Sequence, residues 1–238
     1  MRIFQTQQLT DHVREMCIEA NYTLSPDMRN AIESAAKTES NGLGRVVLEQ
    51  LVLNMEIAQS ENIPICQDTG MAVIFLQVGQ DVFFEGGSIE DAIQEGVRQG
   101  YEQGFLRKSI VKDPILRENT GDNTPAVIHY FLVPGDKVEI TVAPKGFGSE
   151  NTSRIYMLKP ADGLEGVREA ILRTVEEAGA NACPPMVAGV GVGGTFEKCA
   201  MMAKQALLLP IGERSTIPYV SQLETELLEQ INHSQIGP

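Results

Sequence analysis

Two cysteines in this chain of 238 residues sit where a thiol could act on something outside the core. Cys66 lies in Pro64-Ile-Cys-Gln-Asp-Thr-Gly70, followed directly by an amide and a carboxylate. A thiolate there would serve as a metal ligand or nucleophile, with Gln67 and Asp68 facing whatever is bound. The alternative is a small apolar residue at the start of a strand, because free cysteine is among the most buried residue types. Cys183 lies in Asn181-Ala-Cys-Pro-Pro185, where two prolines fix the backbone. Such a rigid loop suits a ligand, and it would equally serve to end a helix. Cys17 and Cys199 share helical faces with Val13 and Ala20, and with Phe196, Ala203 and Ala206, and read as core. No two of the four cysteines have the CxxC spacing of a zinc ribbon.

Three further segments could hold an anion. Arg107, Lys108, Lys112 and Arg117 cluster in a chain poor in basic residues, and Lys145 and Arg154 flank Gly146-Phe-Gly148-Ser. A local excess of this kind could focus the field on a small carboxylate, although a solvated loop has the same composition. Gly189, Gly191 and Gly194 satisfy GxGxxG between an apolar run and a helix, which raises a dinucleotide site. Against it, no clear strand follows the helix, and the acidic residue at the expected distance, Glu213, falls in a loop. His129 alternates with apolar neighbours and reads as structural.

The elements that must position these residues follow from periodicity. Leu9, Val13, Met16, Cys17 and Ala20 predict a first helix; Ser25-Pro26-Asp27 opens a second, and a third runs from Gly44 to about Ser60. After Pro64 the apolar run 71–78 reads as a buried strand, so that Cys66 to Gly70 form the loop entering it. Ser88-Ile-Glu-Asp91 has capping-box spacing and opens a helix to about Gly104, followed by a polar loop over 107–125. Segments 126–133 and 137–142, joined by Pro134-Gly-Asp136, predict an antiparallel hairpin. A helix over 162–178, a strand near 186–190 and helices over 195–209 and 219–231 complete the chain. The expected class is α+β, with mixed or largely antiparallel sheets surrounded by helices and an N-terminal helical segment.

Composition narrows the function. With 42% hydrophobic and 21% charged residues the chain is an ordinary globular one, and its apolar stretches fall short of the roughly 20 residues of a membrane span. The N-terminus meets Gln and Asp where a signal peptide needs an apolar core, which predicts a cytoplasmic protein without disulfides. A formal charge of -13, from 19 basic and 32 acidic residues, opposes nucleic acid and anionic membranes as partners.

These segments together resemble the α subunit, or N-terminal domain, of the class I fumarase and L-tartrate dehydratase family of iron-sulfur hydro-lyases. The matching residues are ICQDTG at 65–70, Arg107 followed by Glu118-Asn-Thr-Gly, KGFGSEN at 145–151 and ACPPMVAGVGVGGTFEKCAMMAKQALL at 182–208. The resemblance implies that residues 1–238 form one cluster-binding α-subunit domain and that a [4Fe-4S] cluster is held by three cysteines. Cys66 and Cys183 match two of the ligands. The third is expected beyond residue 238, past a Gly-Pro segment that the chain enters at Ile236-Gly-Pro238. Gln67 and Asp68 would contact substrate, with Asp68 handling the proton, while Arg107 and the amides of Gly146 and Gly148 would hold carboxylates. A β subunit would supply further basic residues and a threonine, the working unit being a dimer of α/β pairs. The implied reaction is hydration of fumarate to malate or dehydration of tartrate. Two other readings remain open at this level: a nucleotide-binding module on Gly189–Gly194, and a non-catalytic domain binding zinc through Cys66, Cys183 and either His129 or Cys199.

Overall fold

A computed structural model describes residues 1–234, 236 and 237. In chain order its elements are β1 (Arg2–Gln5), α1 (Thr6–Tyr22), α2 (Pro26–Thr38), α3 (Gly42–Glu61), β2 (Met71–Gly79), β3 (Val82–Glu85), α4 (Ile89–Gln103), β4 (Val127–Val133), β5 (Val138–Lys145), α5 (Phe147–Glu150), α6 (Gly163–Ala178), α7 (Phe196–Ala206) and α8 (Pro218–Asn232). The class is α+β, as expected. The chain divides into two compact units, one of residues 1–24 and 54–147, the other of residues 25–53 and 148–238.

The first unit is a three-stranded mixed sheet with two helices packed on one face. β2 is central: β4 runs parallel to it, pairing Val127 with Val73, and β5 antiparallel, pairing Lys145 with Met71. Ala72 to Leu76 are buried without alternation, as expected of a strand covered on both faces. Ala72, Ile74 and Leu76 join Leu9, Val13 and Cys17 of α1 and Ile93, Val97 and Tyr101 of α4 in one apolar core. On the other face Phe75 stacks on His129 at 4.9 Å, so the histidine is a structural residue of the sheet. Helix α4 begins where its sequence says, with Ser88 Oγ accepting from the Asp91 N–H at 3.2 Å. It approaches α1 closely because Gly96 and Gly100 face that helix: a methyl at Gly100 would lie 2.8 Å from Cys17 Cβ and 2.9 Å from the Arg14 carbonyl.

One expectation fails here. The predicted hairpin does not form. β4 and β5 flank β2 instead of each other, and the link between them crosses the end of β2, where the N–H of Gly79 donates to Lys137 O at 2.8 Å and that of Asp81 to Gly135 O at 2.9 Å. The Pro134-Gly-Asp136 turn signal is real, but a turn fixes a reversal of direction and not which strand lies beside which. In addition, Arg2–Gln5 and Val82–Glu85 pair in parallel as a small second sheet that the sequence did not announce, each strand being only four residues long and largely exposed.

The second unit is helical among its described residues. Helices α6 and α8 bury Val175, Ala178, Leu223 and Leu227, and Arg168 donates to Glu226 Oε2 at 2.6 Å across them. Lys204 of α7 donates to Glu150 Oε1 at 2.6 Å. The strand predicted near 186–190 is absent; the segment is irregular and unpaired with any strand. Gly189 and Gly191 lie instead against α7, a methyl on either coming within 2.2 Å of the carbonyl of Ala203 or Cys199 respectively. These two glycines permit chain packing, and the strand that a dinucleotide fingerprint requires before them is missing.

Candidate functional site

The loop from Cys66 to Gly70 is tied to its surroundings by its own backbone. Gly70 has φ +61°, a left-handed conformation that favours glycine, and a methyl there would lie 2.2 Å from Lys145 O. No other residue turns the chain into β2 while letting β5 approach so closely. Thr69, only 2% exposed, donates from Oγ1 to Arg107 O at 3.0 Å, and its carbonyl accepts from Tyr101 Oη at 2.7 Å. Burial, with smaller contributions from Cys17 and Asp68, raises the Tyr101 phenol well above its ordinary range and keeps it a donor. Gly70 O accepts from Asn123 Nδ2 at 3.1 Å.

The side chains ahead of that anchor are presented outward. Cys66 and Gln67 are exposed and Asp68 is half-buried. The Asp68 N–H donates to Cys66 Sγ at 3.4 Å, and Asp68 Oδ1 accepts from the Gly70 N–H at 3.2 Å. Asp68 Oδ2 points toward Gly146, where a methyl would come within 2.9 Å of it, so Gly146 leaves room for the carboxylate. Arg107 is exposed, its carbonyl held by Thr69. The first unit therefore gathers Cys66, Gln67, Asp68, Gly146 and the backbone of Arg107 around one loop.

Gly148 and Cys183 belong to the second unit. Gly148 lies beside Asn181, a methyl there being 3.8 Å from the Asn181 carbonyl, which brings it near the Cys183 loop. Cys183 is exposed at φ +55°, a left-handed conformation unusual for a residue with a side chain and the kind of strain often held at ligand sites. Of the Ile236-Gly237-Pro238 stretch, Pro238 lies outside the described residues.

The donor chemistry separates the cysteines into two pairs. Cys66 and Cys183 are exposed free thiols, and the backbone N–H aimed at Cys66 Sγ is the bond that stabilises a thiolate ligand. Cys17 is fully buried and burial pushes its thiol up to about 12. Cys199 is half-buried and its thiol donates to Phe196 O at 3.2 Å. An exposed free thiol is the donor chemistry an iron-sulfur cluster takes from a protein; among the described residues no three His, Cys, Asp or Glu side chains gather into a metal-binding group.

The reading of the sequence missed Tyr101 and Asn123. Tyr101 looks like any apolar-face residue of α4, and only its buried hydroxyl assigns it to the loop. Asn123 stands in Thr120-Gly-Asp-Asn123, a polar turn whose composition signals a loop and whose partners are remote in sequence.

Comparison with known proteins adds an independent line. A sequence model of the fumarate hydratase (Fumerase) family matches residues 10–238. A protein of Methanocaldococcus jannaschii named "Putative L(+)-tartrate dehydratase subunit alpha" is 41% identical over 236 residues, covering 97% of this chain and 82% of its own length. The "L(+)-tartrate dehydratase subunit alpha" of Escherichia coli K12 is 30% identical over 234 residues, covering 97% of this chain and 77% of its own. Matched by that family model over residues 10–238 and by these relatives over 97% of its length, the chain belongs to the fumarate hydratase (Fumerase) family.

Proposed function

We propose that this chain is the α subunit of an iron-sulfur hydro-lyase acting on a four-carbon dicarboxylate, L-tartrate or the fumarate/malate pair. The observation that carries the reading is the Cys66-Gln67-Asp68 turn, which offers a thiol, an amide and a carboxylate from one anchored loop. Both relatives named above are called subunit alpha, which favours a β subunit as partner, in a dimer of α/β pairs. Cys66 and Cys183 would hold a [4Fe-4S] cluster, the third thiolate coming from beyond residue 238. When bound, such a cluster with one iron free of thiolate supplies a Lewis acid for a substrate hydroxyl. A cluster of this kind is stable in a reducing compartment, consistent with a cytoplasmic location, and no helix of the described residues is long and apolar enough to cross a membrane.

The chain's own residues would do the rest. Asp68 keeps Oδ1 on the Gly70 N–H, leaving Oδ2 to take the proton from the carbon next to the hydroxyl-bearing one and to return it in the reverse direction. Gln67 orients the substrate, and Arg107 and the amides of Gly146 and Gly148 bind its carboxylates. The packing of Gly189 and Gly191 on α7 disfavours the nucleotide-binding alternative.

The test is anaerobic reconstitution of the α/β complex with iron and sulfide, followed by assay on fumarate, L-malate and L-tartrate. Turnover of at least one is expected, with a visible cluster absorbance. Asp68→Asn should keep that absorbance and lose about 10²- to 10⁴-fold in kcat. A reconstituted complex inert toward all three acids would refute the reading.

A further inference from the structure

We propose that Asn123 is a positioning residue that fixes the spacing of Asp68 and Arg107 by bridging their two segments through its side-chain amide. The proposal rests on the roles given above to Asp68 and Arg107 and adds how they are held. Asn123 is 0% exposed, as fully buried as any side chain in the first unit. Its Nδ2 donates to Gly70 O at 3.1 Å, two residues past Asp68, while its Oδ1 accepts from the N–H groups of Ser109 at 2.6 Å and Ile110 at 3.2 Å, just past Arg107. Thr69 Oγ1 donates to Arg107 O at 3.0 Å and closes the ring on the other side. The acid and the cation are thus each followed by backbone that the same buried amide grips, and two independent links join their segments.

The residue type is dictated by the geometry. The bridge needs a donor and an acceptor on one short side chain, from a backbone at φ +63°, a conformation asparagine adopts more readily than most residues. Aspartate would keep the bonds from Ser109 and Ile110 but set a carboxylate oxygen against Gly70 O, with no proton to donate. Glycine would keep the backbone and remove the bridge. Buried bonds of this kind cost most when one partner is removed, since the others are left unpaired away from water. A displacement of about 1 Å at the reacting groups costs on the order of 10²-fold in rate.

The test uses the α/β complex, comparing wild type with Asn123→Asp, Asn123→Gly, Arg107→Gln and the double substitution Asn123→Gly with Arg107→Gln. Amide hydrogen exchange, which needs no turnover, should lose at least tenfold in protection for 66–70 and 107–111 together in Asn123→Gly, with α1 and α4 unchanged. In the assay Asn123→Asp and Asn123→Gly should each lose about 10- to 100-fold in kcat/KM, with the visible absorbance retained. In the Arg107→Gln background Asn123→Gly should cost less than it does in the wild type, because one of the two residues it positions is already gone. Unchanged protection in either segment, loss of protection spread over the whole unit, or fully additive losses would each overturn the positioning role. If the wild-type complex turns over none of the three acids, the hydro-lyase reading fails, and the exchange experiment still decides whether Asn123 joins the two segments.

Discussion

Cys66, Asp68 and Gly70 illustrate how little of a site depends on its most visible side chains. The ICQDTG run suggests a thiol ligand or nucleophile beside an amide and a carboxylate, with a small apolar residue at a strand start as the alternative. What the run cannot state is how it is held: Tyr101 and Asn123 bind its backbone from segments remote in sequence, and its own Thr69 reaches out to the Arg107 carbonyl. Such partners are illegible in one sequence, since a hydroxyl or amide carries no mark of the carbonyl it will meet. The cysteines were more legible, Cys17 on an apolar helical face proving buried and Cys66 and Cys183 exposed, although Cys199, read as core, is only half-buried on a helix that buries no residue. This sorting is open to thiol labelling of the cluster-free chain at pH 8. Cys66 and Cys183 should react with a disulfide reagent within seconds to minutes. Cys17, whose raised pKa keeps it protonated until pH approaches about 12, should react only after unfolding. Rapid labelling of Cys17 in the native chain would contradict its burial.

At the scale of elements, helices were read well and strand neighbours poorly, for a physical reason. A helix is closed by bonds within itself, so capping at Ser88 and the apolar faces of α1 and α4 suffice to locate it. A strand is completed by partners that local sequence does not name. β4 was located to within one residue and β5 to within three at its end, yet each pairs with β2 and not with the other. The seam between α1 and α4 is the element interaction most exposed to test. Gly100→Ala places a methyl 2.8 Å from Cys17 Cβ and 2.9 Å from a main-chain carbonyl that cannot rotate away. The helices must then separate, and the unit should lose about 1–3 kcal/mol of stability, read as a lower denaturant midpoint. A gain in stability, as expected from helix propensity alone, would mean that the seam is loosely packed.

For the molecule as a whole, the division into two units is not a division into an N-terminal and a C-terminal half. Residues 25–53 leave the first unit and join the second, and the chain returns before ICQDTG. The resemblance implies one domain over 1–238, and the crossings at 24 and 147 fall at Ser25-Pro26 and within Gly146-Phe-Gly148-Ser149, segments too short for composition to mark as linkers. Each unit nevertheless has its own buried residues, Leu223 and Leu227 in the second and the α1, α4 and β2 cluster in the first. Leu227→Ala should therefore destabilise the second unit by about 2–5 kcal/mol. Hydrogen exchange should rise in α6 and α8 while Val97 and Tyr101 keep their protection. Equal loss in both units would make the chain a single cooperative block.

The link over the end of β2 has a consequence for how the sheet is assembled. Had β4 and β5 formed a hairpin, they could have zipped together in microseconds from neighbouring residues. With β2 between them, neither edge has a partner until a strand made some fifty residues earlier has been inserted, so closure of the sheet is a search over long loops and not a local event. Synthesis supplies β2 first. A nascent chain therefore offers the central strand before either flank emerges, and the direction of translation matches the only order in which the sheet can grow outward from its middle.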